Sequence, residues 1–183
     1  PDWALRHGDA VRAAVAGSES IALVHNAGLL TKDSVASVEA AALHRSLQVN
    51  VVACVQLDQL LLPAMQAGSS IVYVGSTLGE KAVAGSCAYV VSKHALIGLM
   101  RATCQDLAGR GIHSVCVCPG FTDTEMLHAH VGHASEVLEL LAAGVTFGRL
   151  IEPEEIARTI LFCAQNAVIN GAVIHANLGQ LER

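Results

Sequence analysis

The sequence predicts an α/β fold built on a parallel sheet. Three observations carry that expectation. Short runs that are apolar on both faces alternate with longer segments of helical period, in the order strand, helix, strand, helix, strand, helix, strand. Such runs suit strands buried between two layers of helices. The polar residues with chemical potential, Asn26, Ser76 and Pro119 to Thr124, all fall just past the ends of those runs, where ligands of open parallel sheets bind.

The elements follow in order. Gly8 to Ala16 reads as a helix closed by a Gly-Ser turn. Ile21 to Val24 reads as a buried strand ending in His25-Asn26-Ala27-Gly28. From Ser34 to Met65 the pattern is helical, with Asn50 inside its apolar stretch, where a polar side chain must find partners or perform a task. Ser69 to Gly75 is the next strand and delivers Ser76 at its carboxyl end. The helix Ala88 to Leu107 is apolar nearly all round, so it is expected to be buried on more than one side, and Gly109-Arg110-Gly111 closes it. Ile112 to Cys118 is a strand stopped by Pro119-Gly120. Phe121 to Gly148 reads as a long excursion with one helix, Ser135 to Ala142, of the kind that forms a lid over a site. Glu152-Pro153-Glu154-Glu155 opens a helix with proline and carboxylates in its first turn, and Gly171 to Ala176 is the last strand.

Composition narrows the function. With 183 residues, 52% of them hydrophobic, the chain can bury a substantial core and reads as one domain. A net charge of -5, with no basic block, argues against nucleic acid and anionic membrane as partners and for a small-molecule substrate. The apolar runs are too short to span a bilayer and no signal peptide is legible, so a cytoplasmic location is expected. The six cysteines lack zinc-type spacing and read as small buried hydrophobes. Cys116 and Cys118 share one side of a strand, without forming a disulfide.

Tyr89 and Lys93 carry the strongest chemical signal. Residues four apart on a helix lie one above the other, so an ammonium and a phenol share one face. Lowering a phenol from about 10 to about 7 needs roughly 4 kcal/mol. One cation about 4 Å away, at an effective dielectric near 20, supplies about that much. The pair is a candidate acid and base.

Taken together, Asn26-Ala27-Gly28 after a strand, Asn50 in a helix, Ser76, Tyr89 with Lys93, and Pro119-Gly120 with Thr124 resemble the motifs of the classical short-chain dehydrogenase/reductase family in order and spacing. The run from Pro119 to Met126 looks like 3-oxoacyl-carrier-protein reductases, a likeness shared with sugar and steroid enzymes. The resemblance implies a Rossmann-like doubly wound parallel sheet and hydride transfer between NAD or NADP and a ketone or secondary alcohol. It implies that Tyr89 is the general acid in reduction, that Ser76 bonds the substrate oxygen, and that Lys93 binds the nicotinamide ribose and lowers the tyrosine. Asn50 would hold a water that continues a proton relay. Asn26, Ala27 and Gly28 would line the adenosine side, with Asp2 on the adenine. Pro119, Gly120, Thr122 and Thr124 would meet the nicotinamide carboxamide.

Departures from the family pattern matter as well. His25 stands where an asparagine is usual, and Ala176-Asn177-Leu178-Gly179 replaces an acidic, glycine-rich sequence. No glycine-rich phosphate turn occurs, so the first βαβ half is expected to be missing from the given chain, with roughly 50 to 60 residues preceding it in the natural protein.

The apolar helices around Val51 to Met65 and after Tyr89 exceed what one sheet face needs, and the resemblance implies a homodimer or homotetramer formed through them. His128, His130 and His133 with Glu125 read as polar lid residues rather than a metal site, and Ser76 is misplaced for a hydrolase elbow. The alternative to an enzyme is a catalytically inactive scaffold that keeps the cofactor motifs.

Overall fold

The computed structural model describes residues 3–180; Asp2, the candidate adenine contact, lies outside them. Four strands, β1 (Ala22–His25), β2 (Ser70–Val74), β3 (His113–Pro119) and β4 (Val173–Ala176), form one parallel sheet in the order β1-β2-β3-β4. The register pairs His25 with Tyr73, Tyr73 with Cys116, and Cys118 with His175, so the carboxyl ends of all four strands finish on one edge. The expected α/β architecture and strand order are present.

Alternation along the strands divides the core in two. Ile71, Tyr73, Cys116 and Cys118 point to one face with Leu96, Ile97 and Met100, while Val72, Val115 and Val117 point to the other with Cys163. The first face is covered by α4 (Cys87–Asp106), flanked by α2 (Ala40–Leu47) and α3 (Ala53–Leu61), with α1 (Trp3–Ala14) against α3. The second face is covered by α7 (Pro153–Gln165). Its first turn has Pro153 at its start and a reciprocal cap in which the Glu155 carboxylate accepts the Glu152 N–H at 2.9 Å.

Three elements differ from expectation, the first being α1, which begins at Trp3 rather than Gly8. The long helix expected from Ser34 to Met65 runs instead from Ala40 to Leu61, and a π turn, Gln48–Val52, interrupts it around Asn50. The excursion after β3 contains two helices rather than one: α5 (Glu125–Val131) as well as α6 (Ser135–Ala143). α5 has seven residues, too few for apolar periodicity to reveal. Its end signals were legible: Thr124 accepts the Leu127 N–H at 3.4 Å as an N-cap, and Gly132 closes it at φ 70°.

Candidate active site

Ser76 follows β2 in an extended conformation and faces the carboxyl edge of the sheet. Its Oγ accepts the Leu78 N–H at 3.1 Å, which leaves the hydroxyl hydrogen free to donate. Gly75 permits this placement because a Cβ there would lie 2.7 Å from Cys116 Sγ and 2.8 Å from Cys118 Sγ. Those two sulfurs, 3.8 Å apart, form the floor under the serine, and all six cysteines are free thiols.

Tyr89 and Lys93 lie in the first two turns of α4. Asp33, from the loop after β1, accepts the Ala88 N–H at 2.9 Å and so caps that helix from a distant part of the chain. The Ser76 side chain is near enough to the Tyr89 hydroxyl to favour its ionised form. Lys93 is 4% exposed, and its Nζ donates to the Val74 carbonyl at 2.8 Å and sits 5.5 Å from the Tyr89 ring centre. The structure thus brings Ser76, Tyr89 and Lys93 together, as their order in the sequence implied.

The electrostatics differ from the simple picture of an ammonium lowering a phenol. Burial holds the Tyr89 hydroxyl above its ordinary value, the Ser76 side chain opposes this, and Cys118 adds to it. Burial also lowers Lys93, which has no carboxylate partner among the described residues. The ammonium spends one N–H on the Val74 carbonyl rather than on the phenol, so desolvation wins in this arrangement.

Asn50 is 1% exposed and its amide is fully engaged. Oδ1 accepts the Leu29 N–H at 2.7 Å, while Nδ2 donates to the Leu29 carbonyl at 3.0 Å and to Ser92 Oγ at 2.8 Å. Ser92 in turn donates to the Tyr89 carbonyl at 2.8 Å. One side chain therefore ties the turn after β1 to the helix bearing Tyr89. Gly28 sits at this junction: a Cβ there would lie 3.8 Å from both Asn50 Oδ1 and Lys93 Nζ.

The remaining candidates line the same edge. Asn26 and Ala27 are exposed just past β1. Pro119 ends β3, Gly120 packs against Asn177, and the Thr122 and Thr124 hydroxyls donate within the loop, to the Gly120 and Thr122 carbonyls, each at 3.3 Å. Asn177 Oδ1 accepts the Gly179 N–H at 3.1 Å. Among the described residues no group of three or more His, Cys, Asp or Glu is placed to hold a metal ion, and no helix is long and apolar enough to cross a membrane.

Sequence reasoning missed a buried polar chain behind the site. His25 Nε2 and Asp58 Oδ1 are 2.7 Å apart, Tyr73 donates to Asp58 Oδ2 at 2.7 Å, and Thr103 Oγ1 lies 2.9 Å from the Tyr73 hydroxyl. The His25 ring stacks on Tyr73 with centres 4.9 Å apart. Burial alone would lower His25, but its bonds to Asp58 and Cys54 and their charges overcome that and raise it from 6.5 to about 9. A histidine in place of the usual asparagine next to a turn was the one available signal.

A family model described as enoyl-(acyl carrier protein) reductase matches residues 8–180. A short-chain dehydrogenase/reductase variant of Serratia marcescens superimposes with a TM-score of 0.84 at 34% identity, covering 94% of this chain and 70% of that one. The chain belongs to the short-chain dehydrogenase/reductase family. Within this family it is also similar to a 3-oxoacyl-(acyl-carrier-protein) reductase of Thermotoga maritima, 31% identical over 83% of this chain and 62% of the relative. A blue fluorescent protein from a metagenomic library, solved in complex with NADPH, matches with a TM-score of 0.84 at 30% identity over 94% of this chain and 70% of that chain. The chain spans less than two thirds of the length of the curated relatives it matches. The resemblance read from Ser76, Tyr89, Lys93 and their neighbours is therefore confirmed at the level of family and Rossmann-like fold.

Proposed function

We propose that the protein is an NAD(P)-dependent oxidoreductase that interconverts a ketone and a secondary alcohol, with Ser76, Tyr89, Lys93 and Asn50 as its working set. The observation that carries this reading is a buried ammonium without a carboxylate partner among the described residues, Lys93, next to a phenol that Ser76 approaches at the carboxyl edge of a parallel sheet. A lysine desolvated to this degree is costly unless a ligand or a proton path uses it.

The residues present fit a nicotinamide dinucleotide. Lys93 has N–H groups to spare beyond the one given to Val74, and Gly28 places no side chain beside it. Asn26, Ala27 and Gly28 would hold the adenosine side, and Pro119, Gly120, Thr122 and Thr124 the carboxamide side. When bound, the dinucleotide supplies or accepts the hydride. Tyr89 gives its proton to the carbonyl oxygen in reduction and takes the hydroxyl proton in oxidation. Ser76 donates to that oxygen as it gains negative charge. Lys93 restores the tyrosine proton, and Asn50 acts by holding the Leu29 peptide and Ser92 in register with the helix.

Val52, the last residue of the π turn before α3, and Val91 on α4 are large apolar residues left exposed, which supports pairing of this face between copies in a homo-oligomer. The protein as a whole is proposed to act on a small molecule in the cytoplasm. Turnover of a ketone and alcohol panel with both coenzymes tests the reading. Tyr89→Phe is expected to lower kcat at least about a hundredfold while coenzyme still binds. An inactive scaffold would bind coenzyme and turn over nothing in either form.

A further inference from the structure

A cleft of about 400 Å³ lies between the turn at 28–32 and α5. Leu29, Leu30, Met126 and Ala129 give it apolar walls, and Lys32 and His130 are its two basic groups. Gly28 also lines it, and a Cβ on Gly28 would lie 3.8 Å from Lys93 Nζ and Asn50 Oδ1, so this glycine joins the cleft to the proposed centre.

Charge in this cleft is unbalanced. The carboxylates beside it in the sequence are committed elsewhere: Asp33 accepts the Thr31 hydroxyl at 2.7 Å and the Ala88 N–H at 2.9 Å, Asp123 pairs with His128 at 2.5 Å, and Glu125 lies 3.8 Å from His133. Lys32 has no hydrogen-bonded or ion-paired partner among the described residues. It is close enough to His130 that its charge adds to burial in holding that imidazole below the ordinary histidine value. One ammonium beside a neutral imidazole presents a single positive charge, which matches a monoanion rather than a doubly charged phosphate.

We propose that this cleft selects ketone and alcohol substrates that carry a carboxylate at the end of a short apolar chain, with Lys32 binding the carboxylate. The proposal rests on reading the adjoining centre as a site of hydride transfer. The apolar walls take the chain, and the carboxylate gains an ion pair with the ammonium that a neutral ester of the same length cannot make.

The test compares 5-oxohexanoate with its methyl ester, using the protein as the cell makes it and its Lys32→Gln variant. Lys32 is exposed, so the variant is expected to fold. In the wild type, kcat/KM for the acid should exceed that for the ester about tenfold. In Lys32→Gln the two should agree within about twofold, the change lying in substrate KM while kcat and coenzyme KM hold. Equal turnover of acid and ester by the wild type overturns the proposal, as does a preference that survives in the variant. A rise in coenzyme KM overturns it too, by assigning the ammonium to the coenzyme. Calorimetric binding of both compounds, with coenzyme present, separates the two readings. Preference for the acid without turnover of either compound keeps the carboxylate site and sinks hydride transfer, whereas binding of neither sinks the carboxylate site.

Discussion

The buried pair of His25 and Asp58 makes stability depend on pH in a direction that can be worked out. His25 titrates at about 9 when folded and near 6.5 when unfolded, so the folded state holds the proton more tightly. Its contribution is therefore fully present below pH 6.5 and is lost as pH rises through about 9. At about 1.4 kcal/mol for each pH unit, the interval corresponds to roughly 3 kcal/mol. Both side chains are nearly inaccessible, so solvent screens the pair little. The assay is urea unfolding followed by circular dichroism at pH 6, 7.5, 9 and 10, on the wild type and on His25→Asn. The wild type should lose about 3 kcal/mol across this range relative to the variant, which lacks the titrating group. The same pH slope in both proteins would refute the assignment of a charged histidine here.

Three further outcomes follow from the geometry. Asn50→Ala removes both bonds to the Leu29 peptide and the bond to Ser92 (Asn50 Oδ1 and Nδ2 at 2.7, 3.0 and 2.8 Å), and should cost about 1–3 kcal/mol in unfolding free energy and weaken coenzyme binding measured by fluorescence titration. Gly75→Ala drives a methyl to within 2.7 Å of Cys116 Sγ, and a loss of about 1–3 kcal/mol is expected from thermal unfolding. Because burial holds the Tyr89 phenol above its ordinary value, alcohol oxidation should keep rising with pH beyond the usual tyrosine range, while ketone reduction stays flat from neutral to mildly alkaline pH. Initial rates in both directions check this.

The sequence by itself determined the sheet and the residues at its edge. Strands such as Ser70–Val74 are apolar on both faces, and that pattern has few stable solutions other than burial between helices. The spacing of Tyr89 and Lys93 likewise places both on one face whatever surrounds them, and capping residues mark the start of α7. What the tertiary structure alone decided were the partners. Asn50 reads in sequence as a polar residue in an apolar helix; only folding shows that a π turn aims it at the Leu29 peptide and Ser92. The Asp33 cap on α4 and the chain from His25 through Asp58 to Tyr73 join residues 55, 33 and 15 positions apart. The sign of the Tyr89 shift was misjudged for the same reason. A charge and its spacing are written in the sequence, but desolvation and the direction of an ammonium N–H depend on every neighbour that packs around them, and those are fixed only when distant segments meet.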